Sequence, residues 1–560
     1  MTLIKKQPAR YMVFYSIFGA ANIFILWYYL SDTILAFTTS QQFPISSFER
    51  FPLTYLIFPA EVFSFLFGLY FVYLLVTNKP KQSQTSLQEW QKGNKDAVAI
   101  LLPVYNEPKD IVDRTIRACK KISWHMPVHI YLLDDSTESE SQKEMSVLGK
   151  QHGCKIIRRN DRKGYKAGNI NNAIANHVTE NYVLILDSDQ APSPNLLEET
   201  MPYFSDAQVG FVQLPQYYIN DGTPLERATK IGANIFFQTQ CQSKALDGAL
   251  PFCGTNAIIR TAVFRQVKGF SYYTATEDIE LGLRINQAGY KGVYVPKILV
   301  YGYGPVDFSA YSSQQYRWAN GNLAILREHF FKLLKGDFSL RYQIHTLYTL
   351  GWWLIGFVTL AFILVPILSL LFDLGTHHSW LPTSLVIALY FNVAMGIMLV
   401  YVSLRKRVDG EKVRIQDALL QYSLITNSMF IYAHAALSVL FKRYIGFVRT
   451  DKKGTLSGWW HIKWNLLLAL VCYTLSMYAL YQASLASDIV TLRTYLPISV
   501  WLLFYAMVLT SSILFVGTVG PTFAKDNAHV HLHTGVPTEH QRRHSTIVGA
   551  SVNASYMSKS

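Results

Sequence analysis

Six long apolar runs constrain this chain most, because each is long enough to cross a lipid bilayer as a single helix. They cover residues 11–30, 53–76, 345–372, 383–404, 463–482 and 495–516. About 20 apolar residues in a helix span the roughly 30 Å of hydrocarbon in a membrane. Half of the residues are hydrophobic, which agrees with a membrane protein that also carries a folded domain. The runs predict a multi-pass protein of the plasma or inner membrane.

Basic residues next to these runs predict their orientation. They cluster before the first run and after the second and the fourth: Lys5, Lys6, Arg10, Lys79, Lys81, Arg405, Lys406 and Arg407. Because basic connections stay on the cytosolic side, both termini and the long segment between the second and third runs are predicted to be cytosolic. The net charge of +14 is explained by headgroup contacts at these places, and no basic stripe with stacking aromatic residues predicts a nucleic-acid partner.

A further apolar stretch, 417–441, contains Gln421, Asn427 and His434 and is followed by a basic cluster. If this stretch crossed the membrane, the basic cluster would lie outside the cell. We therefore expect a helix that lies in the cytosolic interface instead.

Between residues 95 and 340 the sequence changes to short apolar runs that alternate with polar, helix-like stretches. Each apolar run ends in polar residues, which is typical of buried parallel strands whose carboxyl ends carry a site. The five runs are AVAILLPVYNE, VHIYLLDDS, CKIIRRN, NYVLILDSD and VGFVQLP. An α/β domain is predicted here.

Two of these runs end in paired carboxylates. Asp187 and Asp189 follow VLIL and can approach one hard divalent cation and its phosphate ligands. Asp134 and Asp135 follow HIYLL, where a nucleoside could hydrogen-bond. Taken alone, each pair is equally typical of a strand-end turn with a helix cap.

Two later motifs add further chemistry. Thr276, Glu277 and Asp278 precede a helical pattern, where Asp278 is a candidate general base or simply part of an acidic first turn. QQYRW, just ahead of the third apolar run, offers amides for sugar hydroxyls, a guanidinium for phosphate and an indole face for a pyranose ring. In isolation it could equally be an interfacial aromatic anchor.

The order of these motifs within one α/β segment bracketed by membrane helices resembles the processive family 2 glycosyltransferases. This group contains bacterial cellulose synthase, plant cellulose-synthase-like mannan and glucan synthases, and hyaluronan and chitin synthases. Further matching stretches are PVYNEP, GYKAGN and PFCGTNAIIR, and the resemblance covers about residues 95–460. It implies a glycosyltransferase A-type domain, with a Rossmann-like mixed sheet, inserted in a helical membrane region of about six spans plus interfacial helices.

The resemblance also implies a role for each matching residue. The nucleotide would be bound by Tyr105, Glu107, Asp134 and Asp135, with Lys166 near the diphosphate. Mg²⁺ or Mn²⁺ would be held by Asp189, with Asp187 close by. Asp278 of the TED motif, with Thr276 and Glu277, would be the catalytic base. The acceptor sugar and the diphosphate would meet Cys253, Gly254, Gln314, Gln315, Arg317 and Trp318.

The segment FVRTDK resembles the gating loop FxVTxK of cellulose synthase. Phe447, Thr450 and Lys452 match that pattern, whereas Arg449 stands where the family has Val. The chain is accordingly divided into membrane helices at 1–80, the transferase domain at 95–340, helices at 341–404, an interfacial helix and gating loop at 405–462, helices at 463–517 and a disordered tail at 518–560.

The function implied is inverting transfer from a UDP-sugar, UDP-glucose first, to a growing β-glucan that crosses the membrane through the protein's own helices. Another sugar nucleotide feeding a mannan-, chitin- or hyaluronan-like polymer is the first alternative. A nonprocessive transferase that acts on a lipid carrier and a nonenzymatic export subunit are further alternatives. Accessory export subunits are possible partners. A PilZ domain for cyclic-di-GMP is not expected, because the tail is too short.

Overall fold

The computed structural model describes residues 53–77, 96–336, 338–372, 414–442 and 458–516. Several sequence predictions lie outside these described residues: the apolar runs 11–30 and 383–404, the gating-loop residues Phe447, Thr450 and Lys452, and the tail 518–560.

An α/β domain follows the first described helix, α1 (Thr54–Thr77). Its elements, in chain order, are β1 (Val98–Val104), α2 (Lys109–Cys119), β2 (Val128–Asp134), α3 (Ser139–His152), β3 (Lys155–Ile157), α4 (Tyr165–Asn176), β4 (Tyr182–Ile185), β5 (Ala191–Pro192), α5 (Leu196–Thr200), β6 (Val209–Gln213), β7 (Tyr217–Tyr218), α6 (Pro224–Asn234), a π-helical turn (Ile235–Cys241), α7 (Gln242–Leu246), β8 (Ala257–Arg260), α8 (Thr261–Gln266), α9 (Glu277–Gln287), β9 (Lys291–Tyr294) and β10 (Val300–Gly302). A short 3₁₀ turn (Met201–Ser205) follows α5.

Seven of the strands form one mixed sheet in the order β3-β2-β1-β4-β8-β6-β9. Strands β3, β2, β1 and β4 pair in parallel, as predicted. The prediction of parallel strands alone was incomplete, because β8 inserts between β4 and β6 and is antiparallel to both. The strands β5, β10 and β7 form a second, small sheet. The expected α/β domain with a mixed sheet is therefore confirmed.

Helices cover both faces of the large sheet. On one face, Ile170 and Ile174 of α4 pack with strand residues such as Leu101 in one buried cluster. On the other, Ile116 of α2 and Leu148 of α3 belong to a second buried cluster. Burial on both sides explains why these strands are nearly continuous apolar runs in the sequence.

The chain leaves the α/β domain through a long helix, α10 (Phe308–Lys335), whose first turn is capped by the Asp307 side chain accepting from Ala310 N at 2.7 Å. The remaining helices are α11 (Leu340–Gly351), a short 3₁₀ turn (Trp352–Leu354), α12 (Ile355–Phe372), α13 (Ile415–Asn427), α14 (Met429–Leu440), α15 (Trp459–Ser484), α16 (Ile489–Thr510) and α17 (Ile513–Val516). Aromatic and aliphatic residues of α1, α12, α14, α15 and α16 share one buried cluster.

Four helical stretches among the described residues are long and apolar enough to cross a membrane: Leu340–Phe372, Ile415–Leu440, Trp459–Ser484 and Thr494–Val516. Three of them contain predicted spans, and the second predicted span coincides with α1, which includes the shorter apolar stretch Pro59–Leu75. Ile415–Leu440 is the stretch predicted to lie in the interface. It bends at Ser428, whose N–H donates to both Leu424 O and Ile425 O at 3.1 Å. Its interfacial position stays a prediction.

Candidate active site

A cleft lies at the carboxyl edge of the large sheet, where β1, β2 and β4 end side by side. In the parallel register Val104 of β1 pairs with Asp134 of β2, and Leu101 pairs with Ile185 of β4. The cleft brings together most of the residues that the sequence predicted: Tyr105, Glu107, Asp135, Lys166, Asp187, Asp189, Cys253, Gly254, Glu277, Asp278, Gln314, Arg317 and Trp318. Motifs separated by about 200 positions therefore meet at one site.

Asp134 and Asp135 point to different partners at the end of β2. Asp134 is buried and accepts hydrogen bonds from Arg158 Nε at 2.8 Å and from Ser136 N at 3.1 Å. Asp135 lines the cleft and pairs with Arg159, whose Nε and Nη2 donate to its two oxygens at 2.9 and 2.6 Å. The geometry therefore offers Asp135, but not Asp134, to a bound nucleotide.

Two arginines that the sequence reading missed shape the nucleotide end of the cleft. The guanidinium of Arg162 lies 3.6 Å from the centre of the Tyr105 ring. Arg159, besides pairing with Asp135, donates to the carbonyls of Lys163 and Tyr165 and so holds the loop that carries Arg162. The density of basic residues in RRNDRKGYK was a usable signal, because it directly follows a predicted strand.

Two side chains, Lys166 and Thr255, hydrogen-bond to Asp187 in the DSD turn after β4. Asp187 Oδ1 accepts from Lys166 Nζ at 2.5 Å, and the same ammonium reaches Gly254 O at 3.2 Å. The main-chain N–H of Asp187 donates to Thr255 Oγ1 at 3.0 Å. Lys166 and the loop of the FCGT motif thus converge on the acidic turn.

The acidic turn fits a divalent cation bound in part by the substrate. No cluster of three or more histidine, cysteine, aspartate or glutamate side chains with metal-site spacing occurs among the described residues. Asp187 and Asp189 offer oxygen donors only, and Mg²⁺-like ions are typically held by one or two carboxylates together with substrate phosphates and water. The donor set therefore suits a cation that arrives with a diphosphate better than a closed structural metal site.

The TED motif starts α9 and places two half-buried carboxylates in the cleft. Burial and the neighbouring Asp278 raise the pKa of Glu277 to about 7. Burial also raises the pKa of Asp278, against the opposing effect of a hydrogen bond from Ile279 N and of the cations Arg317 and Lys166. A carboxylate with a raised pKa is a better proton acceptor than an exposed one, so Asp278 has the electrostatics of a general base.

Raised carboxylate pKa values predict how transfer depends on pH. Asp278 must be ionised to accept a proton, so kcat/KM should fall as the pH falls through its raised pKa, above the ~3.9 of an exposed aspartate. The charge of Asp278 contributes to the raised pKa of Glu277, so Asp278 ionises first and Glu277 is still neutral as it does so. Glu277→Gln should therefore leave this acid limb in place. Initial rates of sugar transfer between about pH 5 and pH 9 test this. An acid limb that moves in Glu277→Gln would mean that the two carboxylates titrate together.

Gly254 allows the FCGT loop to touch the candidate base. Its φ is +72°, and a Cβ added there would lie 2.8 Å from Asp278 Oδ2. Beside it, the Cys253 thiol lies against Cys241, and this contact together with burial raises the pKa of Cys253 well above its usual range. Cys253 therefore stays a neutral thiol, which lines the cleft and does not act as a nucleophile.

The QQYRW motif lies on α10. Some of its side chains face the cleft and others face α14. Gln314, Arg317 and Trp318 line the cleft, as positions i, i+3 and i+4 of one helical face. Gln315 instead accepts a hydrogen bond from Tyr432 OH at 3.1 Å, and the hydroxyl of Tyr316 donates to Ser438 Oγ at 2.8 Å. These hydrogen bonds fasten α10 to α14.

A second cavity continues from the cleft into the helical region. The two share Gln216, Tyr218, Cys253, Asp278, Gln314 and Trp318. Thr276 and Gln315, which the sequence placed in the site, line the second cavity and not the cleft. Its far wall is formed by Phe71 of α1, Trp352 and Trp353 of the 3₁₀ turn, and residues of α13 and α14. Gln216 and Tyr218, outside every motif, had no sequence signal.

A buried positive charge lies behind this cavity. Lys244 Nζ donates to Thr349 Oγ1 at 2.6 Å and to Gln240 Oε1 at 3.2 Å, and both acceptors are neutral. Burial lowers the pKa of Lys244 to about 8, below the ~10.4 of a lysine in water. The folded protein therefore binds this proton more weakly than the unfolded chain, and the free energy of unfolding rises as the pH increases from about 8 toward 10.

Replacing Lys244 with Met should raise the thermal unfolding midpoint at neutral pH. Burying a lysine charge among neutral partners costs free energy, and an apolar side chain of similar length avoids that cost. The variant should also lose the rise in midpoint that wild type shows between about pH 7 and pH 9.5. Heating followed by size-exclusion chromatography of detergent-purified protein measures both effects. A lower midpoint for the variant at both pH values would contradict this account of Lys244.

Comparison with known proteins agrees with the resemblance that the motifs gave. Residues 182–399 match the family model described as glycosyl transferase family group 2. This segment is therefore similar to family 2 glycosyltransferases.

The curated relatives include a glucomannan mannosyltransferase and a cellulose synthase catalytic subunit. The chain is 30% identical over 271 residues to the probable glucomannan 4-beta-mannosyltransferase 14 of Arabidopsis thaliana, a match covering 46% of this chain and 50% of that protein. It is 30% identical over 238 residues to the cellulose synthase 1 catalytic subunit [UDP-forming] of Komagataeibacter xylinus, covering 41% and 31%. The matches thus span half or less of these relatives' own lengths.

Among solved structures, the mannosyltransferase PcManGT from Pyrobaculum calidifontis in complex with GDP-Man and Mn²⁺ aligns with a TM-score of 0.49 at 16% identity. The alignment covers 70% of this chain and 100% of that one.

Proposed function

We propose that this protein is a processive, inverting glycosyltransferase of the membrane that polymerises UDP-glucose into a β-glucan and passes the polymer between its own helices. The observation that carries the proposal is that the cleft and the second cavity share Asp278 and Trp318. A donor bound in the cleft and an acceptor bound in the second cavity would meet at the carboxylate best suited to act as a base. The α/β domain and both termini would face the cytosol, where sugar nucleotides are made.

The residues of the cleft account for donor binding. Tyr105, Glu107 and Asp135 would contact the nucleoside, and the cations Lys166 and Arg317 would face the diphosphate. Asp189 and Asp187 would hold Mg²⁺ or Mn²⁺, which when bound supplies positive charge against the diphosphate as it leaves. Lys166 Nζ pairs with Asp187, so a diphosphate bound in the cleft would compete with this carboxylate for the ammonium.

Transfer would begin when an acceptor hydroxyl lies against Asp278. The carboxylate of Asp278 takes the hydroxyl proton while the oxygen attacks the anomeric carbon from the face opposite the diphosphate. The bond to the diphosphate oxygen breaks with its electron pair, and an α-linked donor gives a β-linked product. Arg317 and Lys166 stabilise the charge that develops on the leaving group. This single displacement needs no second carboxylate as a nucleophile.

The second cavity is built to hold sugar rings. Among the described residues, Asn322 Oδ1 and Gln421 Oε1 are buried without a hydrogen-bond partner, and both residues line this cavity. Unsatisfied amide oxygens accept from hydroxyl groups, and the indoles of Trp318, Trp352 and Trp353 offer faces for pyranose rings. The lining therefore supports an elongating glycan in this cavity.

A mannan made from GDP-mannose is the second candidate product, and the glucomannan mannosyltransferase relative favours it. Both donors offer a nucleoside, a diphosphate and a hexose, so the contacts described above serve either. A chitin- or hyaluronan-like product from another UDP-sugar follows these two. Transfer of one sugar to a lipid carrier is the alternative from another class of enzyme.

The proposal is tested by product analysis with purified full-length protein in detergent and Mn²⁺. Tritiated UDP-glucose, GDP-mannose and UDP-N-acetylglucosamine are each supplied as the donor. Long product from UDP-glucose that β-glucanase digests, and that is absent with Asp278→Asn, would support the proposal. A single-sugar lipid product would refute processivity, and turnover with another donor alone would refute the choice of glucose.

A further inference from the structure

Arg114 of α2 makes contacts that join three parts of the cleft wall. Its Nη2 donates to the main-chain carbonyl of Asp189 at 3.1 Å, and its Nη1 donates to Tyr303 OH at 3.1 Å. The guanidinium carbon also lies 5.0 Å from the centre of the Tyr303 ring. One side chain therefore connects the helix after β1, the DSD turn and the segment that leads into α10.

The guanidinium is not used in an ion pair. Within the described part of the chain Arg114 has no carboxylate partner, and its Nε is buried without a hydrogen bond. Arg117, one turn later on the same helix, forms an ordinary half-buried pair with Asp113 at 2.8 Å. Arg114 thus directs a full charge to a backbone carbonyl and a phenol, an arrangement that fixes position rather than neutralising charge.

The carbonyl that Arg114 holds belongs to Asp189, the residue to which the resemblance assigns the divalent cation. The DSD turn closes with the N–H of Gln190 donating to Asp187 O at 3.0 Å, and Asp187 N is already held by Thr255. Because Asp187 is fixed in this way, the orientation of the Asp189 peptide group determines the direction of the Asp189 carboxylate. Tyr303 lines the same cleft, so the contact also fixes the turn relative to the wall that precedes Arg317 and Trp318.

We propose that Arg114 is a positioning residue that sets the Asp189 carboxylate for a divalent cation shared with a nucleoside diphosphate. The inference rests on the proposed function to the extent that the cleft must bind such a diphosphate. Arg114 itself touches neither the sugar nor the reacting atoms. Its loss should weaken the contribution of the cation to nucleotide binding and leave the rest of nucleotide binding intact.

The test is a binding titration that does not depend on turnover. Detergent-purified wild type, Arg114→Gln and Arg114→Lys are titrated with UDP and with GDP, once with Mn²⁺ and once with EDTA. Loss of a residue that orients a metal ligand typically costs about 10- to 100-fold in affinity for the metal. Because the cation would be shared with the diphosphate, Arg114→Gln should bind the preferred nucleotide about 10- to 100-fold more weakly with Mn²⁺. Its affinity in EDTA should equal that of wild type. With Mn²⁺, the nucleotide affinity of Arg114→Lys should lie between those of wild type and Arg114→Gln, because its single ammonium must serve two acceptors.

Arg117→Gln is the matched control, because it removes the same kind of charge from the same helix at a residue that does not line the cleft. It should bind nucleotide like wild type under both conditions. Unchanged Mn²⁺-dependent affinity in Arg114→Gln, equal weakening with Mn²⁺ and EDTA, or no effect of Mn²⁺ on wild type would each overturn the inference. Wild type that binds nucleotide with Mn²⁺ but transfers no sugar would instead refute the proposed function alone.

Discussion

Replacing Asp278 with Asn should lower the rate of sugar transfer by about 10²- to 10⁴-fold, the usual contribution of a general base. The amide keeps the shape of the side chain but cannot accept the proton. Burial raises the pKa of Asp278, and the positive charges of Arg317 and Lys166 oppose that rise. Initial rates with saturating donor, compared with the affinity for UDP, measure the effect.

Two controls separate loss of the base from loss of the fold. Removing a half-buried carboxylate with a raised pKa relieves a desolvation cost, so the unfolding midpoint of Asp278→Asn should not fall. Asp161→Asn makes the same chemical change at a side chain that is 78% exposed, and it should retain full activity. If Asp278→Asn keeps more than about a tenth of wild-type activity, another group is the base, and Glu277 is the nearest alternative.

The strands that frame the cleft were predictable because their burial produces a recognisable pattern of apolar residues in the sequence. A strand covered on both faces must be apolar along its length and can turn polar only where it leaves the core. The ends of β1, β2 and β4 follow that rule, and the parallel arrangement then places their polar residues together. Strand β8 did not stand out, since AIIR is four residues long and its pairing with β4 and β6 depends on contacts distant in sequence.

Which member of a motif faces the cleft was only partly predictable. Gln314, Arg317 and Trp318 share one helical face, but Gln315 precedes Trp318 by three residues and borders that face, so only the structure shows its contact with Tyr432. For Asp134 and Asp135 the strand period places neighbours on opposite sides but does not say which side is the cleft. The side on which each carboxylate lies depends on its ion pair: Arg158 pairs with Asp134, and Arg159 pairs with Asp135.

Replacing Gly254 with Ala should reduce transfer by about 100-fold, because the added methyl group would displace the base rather than remove it. The new Cβ would lie 2.8 Å from Asp278 Oδ2 and 3.0 Å from the Asp278 Cβ, so the carboxylate or the loop must move. A shift of about 1 Å in a reacting group costs around that factor. Because the carboxylate itself survives, the residual rate should still show an acid limb, whereas that of Asp278→Asn should not.

Gly248 supplies a control that isolates the steric effect from backbone strain. Its φ is also +72°, but a Cβ there would meet nothing within 4 Å. Alanine at either position adopts the left-handed conformation at a cost of roughly 1–2 kcal/mol, so both variants should lose similar stability. Activity should fall in Gly254→Ala alone. Equal activities in the two variants would mean that the contact between the FCGT loop and Asp278 does not set the position of the base, and the close approach at Gly254 would then serve the acceptor side of the cavity.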